Sequence, residues 1–358
     1  MPRIRAIIQR YEHQLSIGSF VVGFAFDSIA LKRIDLLISN LLIYTYLAVV
    51  VVVIATLHYR AAHLPTVEWR TRIIIWLPFL GQFAFGGMFS GFLIFYSQSG
   101  SLFASWPFLL LILALIVTNE FLRKYQSRLT FQSLLLFFCL SSFAIYTTPI
   151  LLGRMGDDVF EISGVVALVV FAVFIAFLTL LNYKRVKDSL YNILLGTITI
   201  YGLITALYFS NILPPIPLAL KDIGIYLSIS HANNQYSGVE EQQPWYARAV
   251  GPAIVVGSGQ SLYAFSSVFA PTKLATSIVH EWQRYDTNAN RWVTMSTVPF
   301  PISGGRDGGY RGYTREDRVS AGRWRVNVET SRGQLIGRET FTVVVASSTP
   351  DGVTRILQ

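Results

Sequence analysis

Cysteine is nearly absent from this chain: Cys139 is the single one in 358 residues. No intrachain disulfide can form, so any domain outside the cytoplasm must hold together by packing alone. Cys139 lies in an apolar stretch, where a thiol behaves as a small hydrophobe rather than a nucleophile. Charge is scarce too. Only 14% of residues are charged against 53% hydrophobic, and the mean hydropathy is +0.48; that balance excludes an ordinary soluble globule. After residue 214 the only histidines are His231 and His280, with no paired His spacing near them, so no metal is expected. The Gly304–Gly309 run lacks the Lys-Ser/Thr that a phosphate loop needs and reads as a plain loop. Nothing implies a cofactor or a catalytic constellation, and the chain is not expected to be an enzyme. No small-residue cleavage site follows the first apolar segment, which is expected to stay as an anchor.

What the chain has in abundance is long apolar runs. Seven segments reach roughly 18–25 residues, enough to cross about 30 Å of hydrocarbon: 14–31, 36–57, 73–96, 102–119, 129–152, 162–182 and 189–213. Basic residues concentrate on alternate connections. The N-terminal tail and the second, fourth and sixth loops hold twelve Lys/Arg, whereas the opposite side holds Lys32, Arg33, Arg154 and Lys221. The excess of Lys/Arg marks the cytoplasmic side. Seven spans with a cytoplasmic N-terminus place the C-terminal part outside the cytoplasm, and the expected location is a bacterial inner (cytoplasmic) membrane. The same tally explains the net charge of +9, because residues 1–221 carry +7 and residues 222–358 only +2. Nucleic acid is therefore not an expected partner.

Pro214-Pro215-Ile216-Pro217 cannot continue a helix, and 214–221 reads as an extended linker between a membrane domain, 1–213, and a C-terminal domain, 222–358. Beyond it the periodicity shifts to alternation, clearest in Trp324-Arg325-Val326-Asn327-Val328-Glu329. A second β-rich run, Leu335–Val345, follows a Ser331–Gln334 turn and forms a hairpin with it. Further strands are expected at 223–231, 260–269, 276–285 and 291–297, with 233–258 an irregular connection. About seven short strands predict an antiparallel β-sandwich. The fold class is thus an all-α membrane bundle followed by an extracytoplasmic all-β domain.

His280-Glu281-Trp282, Gly312-Tyr313, Gly322 to Val326, Gly333 to Gly337 and Phe341-Thr342-Val343, preceded by Phe269-Ala270-Pro271, resemble the C-terminal domain of bacterial proteins known as domain of unknown function 2914. The resemblance runs over 260–345 by motif. Longer members place a polytopic membrane region ahead of the domain, so it implies architecture and bacterial origin, and it carries over no catalytic residue.

Several residues are candidates for function. His280 and Trp282 are two apart and face one side of a strand. They form either a binding face or a core tryptophan beside a satisfied histidine. Arg311, Arg315, Arg318, Arg323 and Arg325 cluster in sequence with Tyr310, Tyr313 and Trp324. Guanidinium groups beside aromatics suit an anionic glycan, a lipid headgroup or an acidic partner. The surface expected from these runs is His280, Trp282, Arg311, Tyr313, Arg323 and Arg325. Within the spans, Asp27, Asn40, Gln82 and Asn192 are the embedded polar residues. Asp27 is expected to pair with Lys32 or Arg33, and the others to bond between helices. Gly87 and Gly91 form a GxxxG pattern for close helix packing.

The expected function is a non-catalytic integral membrane protein whose β domain binds an envelope ligand or partner protein, or serves as an accessory subunit of a membrane complex. The alternative is a transporter or channel with the β domain as a regulatory or substrate-capturing module. A rhodopsin-like receptor is opposed by the orientation and by the lack of lysine in 189–213.

Overall fold

The computed structural model describes residues 24–31, 36–63, 71–121, 128–232, 235–241, 251–272, 274–306, 308–347 and 352–357. The chain divides into two compact units, one of helices and one mainly of strands.

The helical unit contains a helical stretch over 24–30 and six long helices: α1 (Leu37–His63), α2 (Thr71–Gln98), α3 (Leu102–Phe121), α4 (Leu129–Leu152), α5 (Asp157–Leu181) and α6 (Tyr183–Phe209). All six are long and apolar enough to cross a membrane. Most of the first predicted span lies outside the described residues. Apolar side chains such as Val169, Val173 and Leu180 on α5 and Leu194 and Ile198 on α6 are exposed. Such surface is stable only against hydrocarbon or other protein. The sixth predicted loop is far shorter than expected. One residue, Asn182, separates α5 from α6, and its side chain caps α6 by accepting from the Arg185 backbone N–H at 3.2 Å. Lys184, Arg185 and Lys187 therefore stand in the first turns of α6, which ends at Phe209 rather than 213.

The GxxxG pattern packs within the chain. A Cβ on Gly87 would lie 2.5 Å from the Tyr46 ring, and one on Gly91 would lie 2.7 Å from Ile43 and 3.0 Å from Leu31. The two glycines thus let α2 approach α1. The same Tyr46 donates from its hydroxyl to Asp27 Oδ1 at 3.2 Å. Asp27 is buried, and its expected partners Lys32 and Arg33 lie outside the described residues. Asn40 Nδ2 donates to the Leu36 carbonyl at 3.1 Å. Asn192 sits on an exposed face of α6.

The second unit joins 211–358 to two short connections, 98–105 and 152–156. Its strands are β1 (Ala219–Tyr226), β2 (Ser228–Ala232), β3 (Gln235–Glu241), β4 (Ala253–Gly257), β5 (Leu262–Phe269), β6 (Ala275–Asp286), β7 (Arg291–Ser303), β8 (Tyr310–Glu316), β9 (Gly322–Thr330), β10 (Leu335–Ala346) and β11 (Gly352–Leu357). They form a five-stranded sheet β4-β10-β9-β6-β7 and two three-stranded sheets, β1-β5-β8 and β11-β3-β2. Pairing is antiparallel except that β4 runs parallel to β10. The five-stranded sheet and β1-β5-β8 face each other. Their shared core holds Leu262 and Ala264 of β5 with Trp282, Trp324, Val326 and Phe341 of the larger sheet.

Two expectations change here. The stretch 233–258 contains β3 and β4, whose Gly and Gln content disguised their alternation. The Pro-rich segment, expected as an extended linker over 214–221, packs into the β unit: residues 213–219 are buried, Leu218 joins the core with Val268 and Ile336, and β1 already begins at Ala219. Its apolar side chains stabilise more when buried than when solvated.

Replacing Gly91 by leucine must push Ile43 and Leu31 aside. We expect destabilisation of the detergent-solubilised protein by about 1–3 kcal/mol, the range for overpacked cores. Thermal unfolding of the full chain would check it, and a melting temperature within error of wild type would refute the tight α1–α2 contact.

Candidate functional site

The parity of strand β6 decides which side chains can meet a ligand. His280 and Trp282 are both 0% exposed. His280 Nε2 lies 2.7 Å from Ser266 Oγ on β5, and Nδ1 lies 2.9 Å from Thr314 Oγ1 on β8. Trp282 Nε1 donates to the same Thr314 hydroxyl at 3.1 Å. Both residues point between the sheets, so they form the satisfied core pair and not a binding face. Burial pushes the His280 pKa down to about 3, which keeps the ring neutral.

Since even positions point inward, Glu281, Gln283 and Tyr285 point outward, where they meet the outward residues of β9. The register sets Gln283 beside Arg325 and Glu281 beside Asn327. From there a hydrogen-bonded lattice crosses four strands. Thr294 Oγ1 donates to Glu281 Oε1 at 2.7 Å, and Asn327 Nδ2 donates to Glu281 Oε2 at 3.0 Å. Arg338 Nε donates to Asn327 Oδ1 at 2.6 Å, and Arg325 Nε donates to Gln283 Oε1 at 2.6 Å. Burial alone would raise the Glu281 pKa. Hydrogen bonds from Thr294, Asn327 and Gln283, with the charge of Arg325, hold it below its usual range instead. Glu329 is pushed up to about 7, first by burial and then by the Glu281 charge. Arg325 falls to about 10 through burial and the nearby Arg338, and stays charged at neutral pH.

Aromatic rings complete this face. Tyr285 and Trp292 pair across the β6–β7 hairpin with ring centroids 5.2 Å apart. The Arg325 guanidinium stands 4.3 Å from the Trp292 ring centroid, and Arg323 stands 5.3 Å from Tyr285 and 5.9 Å from Trp292. Arg323 is exposed and Arg325 half-buried. Two cations are thus held in fixed orientation on flat aromatic surface, a geometry suited to carboxylate, sulfate or phosphate groups.

Arg311 and Tyr313 do not belong to this face. They lie on β8, in the smaller sheet. Tyr313 is exposed, with its ring centroid 6.2 Å from both Tyr236 and Tyr263, while Arg315 stands 5.9 Å from the Tyr263 centroid. The arginine run of 311–325 therefore divides between two sheets. Trp324 is core, donating from Nε1 to the Ser320 carbonyl at 2.8 Å. Trp292, Tyr285, Gln283 and Glu281 were missed as site residues. For the three on β6 the signal was the alternation opposite to His280 and Trp282. Among the described residues, no three His, Cys, Asp or Glu side chains gather to hold a metal ion.

Fold and site together define a chain of membrane-spanning-type helices that carries a mixed β-sandwich with a cationic aromatic outer face. Residues 275–343, from β6 into β10, match the family model described as Protein of unknown function (DUF2914), so the chain bears a C-terminal domain of that family. No curated protein matches the chain. Among solved structures, Pseudomonas fluorescens alkylpurine DNA glycosylase AlkC, bound to DNA containing an abasic site analog, is matched at 11% identity over 84% of this chain and 97% of that one. The TM-score of 0.22 is too low to bear on fold or activity.

Two tests follow from the buried polar groups. Thr314→Val strips a partner from both His280 and Trp282. Stability should drop by about 2–3 kcal/mol, as for orphaned buried donors, in denaturant unfolding of the full chain. Linkage gives a pH signature. The stabilising share of neutral His280 is whole above its ordinary 6.5 and is lost as pH falls toward about 3. The share of protonated Glu329 is whole below its ordinary 4.5 and is lost as pH rises through about 7. Glu329→Gln should therefore remove the decline between pH 4.5 and 7 and leave the acid-side decline intact. An unchanged stability–pH curve would contradict the burial of Glu329.

Proposed function

We propose that this is a non-catalytic integral membrane protein of the bacterial inner membrane, with its N-terminus cytoplasmic and its β domain on the opposite side. There the β domain binds an acidic envelope ligand or the acidic surface of a partner protein, as an accessory subunit of a membrane complex. The observation that carries this reading is the Arg323–Arg325 pair on Trp292 and Tyr285, held in place by the Gln283 and Glu281 lattice. Pre-organised side chains lose little entropy on binding, so such a face binds better than loose surface arginines. The orientation is supported by the twelve basic residues on alternate connections. It is supported further by the two sparsely basic connections, 98–105 and 152–156, which belong to the same unit as the β domain.

The single buried cysteine makes both parts testable. Asn288 lies in the exposed β6–β7 turn. In Asn288→Cys, a membrane-impermeant maleimide should label intact spheroplasts; labelling only after permeabilisation would reverse the topology. A photo-crosslinking residue at exposed Thr294 should capture a defined envelope component in native membranes. Arg323→Glu with Arg325→Glu should abolish that adduct while the protein still inserts and folds. An adduct pattern unchanged by charge reversal would rule out this face as the binding surface.

A further inference from the structure

The helical unit holds a cavity of about 420 Å³, within the roughly 300–1,000 Å³ range of small-molecule sites. Val50, Val53, Phe79, Phe85, Phe131 and Leu135 supply apolar wall. Along α1 the lining runs from Val50 to His58, about 12 Å of helix. Polar lining gathers where helix ends meet. His58 is in the last two turns of α1 and Gln132 in the first turn of α4, with His58 Nε2 3.1 Å from Gln132 Oε1. Asn182 caps α6 and donates from Nδ2 to the His58 carbonyl at 3.2 Å, which brings the start of α6 to the same place.

One atom at that end is left over. Gln132 meets His58 through its carbonyl oxygen, which can only accept, so His58 Nε2 carries the ring proton. Nδ1 of the neutral imidazole is then an acceptor. It is buried, in a residue 2% exposed, and has no hydrogen-bond partner among the described residues. Native structures keep few buried polar atoms unpaired. Gln82, Asn119 and Arg185 also line the cavity, and each is engaged within the protein, Asn119 by donating from Nδ2 to the Gln82 carbonyl at 3.1 Å. The acceptor at Nδ1, together with the N–H donors of the Gln132 amide, therefore selects the head of a ligand.

We propose that this cavity binds a neutral single-chain lipid alcohol, its hydroxyl donating to His58 Nδ1 and its chain lying along the apolar wall. A hydroxyl both donates and accepts, so the same oxygen can take an N–H from the Gln132 amide. An ether, an ester or an ionised acid has no proton to give and leaves Nδ1 unpaired. A primary amine enters as an ammonium and sets a second cation beside Arg185. The site is separate from the β-domain face and does not depend on it.

The test uses the full chain in detergent micelles and a radiolabelled decanol that carries a diazirine in its chain. Photolysis should label the cavity wall on α1, α2 or α4, and unlabelled decanol should compete saturably. Decyl methyl ether and ionised decanoate are the competitors with no proton to donate. Decanol should compete about tenfold more strongly than either, the worth of one buried hydrogen bond. His58→Phe should bring decanol level with the ether and leave the ether unchanged. Leu135→Trp should fill the cavity and abolish labelling. Should His58→Phe fail to fold, Val53→Cys replaces it: the native Cys139 is buried, and decanol should protect the new thiol from N-ethylmaleimide at about a tenth of the ether concentration that protects it equally. Equal competition or protection by decanol and ether, stronger competition by decanoate, a His58→Phe variant that keeps the preference, or labelling that survives Leu135→Trp or falls outside the cavity lining would each overturn the proposal.

Discussion

The His280 ring joins the two main sheets of the β domain, and the rest of the domain takes its bearings from it. Ser266 on one strand and Thr314 on another hold both ring nitrogens, and Thr314 also accepts from Trp282. A neutral imidazole has one donor and one acceptor, so two hydroxyls satisfy it fully. A slip of β6 by one residue would bury Glu281 and expose Trp282. The cost of an unsatisfied carboxylate in the core is several kcal/mol, far above any gain from a shifted register. Locking 280 and 282 inward therefore forces 281, 283 and 285 outward, and the lattice with Asn327, Arg325 and Arg338 is the consequence.

In the helical unit close approach plays the corresponding part. Gly87 and Gly91 let Tyr46, Ile43 and Leu31 lie against α2, and that contact keeps Tyr46 where its hydroxyl reaches Asp27. In hydrocarbon, helices gain nothing from hydrophobicity against one another, so packing and hydrogen bonds decide their arrangement. The α1–α6 tie through Asn182 and His58 is of the same kind. Both units rely on a few buried polar contacts to select one arrangement out of many that would bury similar apolar area.

Much of the architecture was legible in the residues, and particular elements show why. The six helices are long runs of Leu, Ile, Val and Phe whose period does not matter, because length alone identifies them. The β9–β10 hairpin was legible because alternation is strict from Trp324 to Glu329. Strands β3 and β4 were not, since Gly238 and a turn-rich flank blur a period of two over so few residues. The Pro-rich segment misled because proline marks where a helix stops and says nothing of what covers the chain afterwards. The candidate face was half legible. Arg323 and Arg325 were found by their alternation with core residues, whereas Trp292 and Tyr285 lay over thirty residues away in the chain.

The sequence by itself determined the division into apolar helices and an alternating β region, the resemblance of 260–345 to a family, and the surface position of Arg323. Those depend on composition and period, which are local. Tertiary structure decided which parity of β6 faces out, that the arginine run of 311–325 splits between two sheets, and that His58, Asn119, Gln132 and Arg185 line one cavity. Those depend on register and on helix ends meeting across the bundle. Both are set by the free energy of satisfying buried polar groups, a sum over contacts that no stretch of sequence contains.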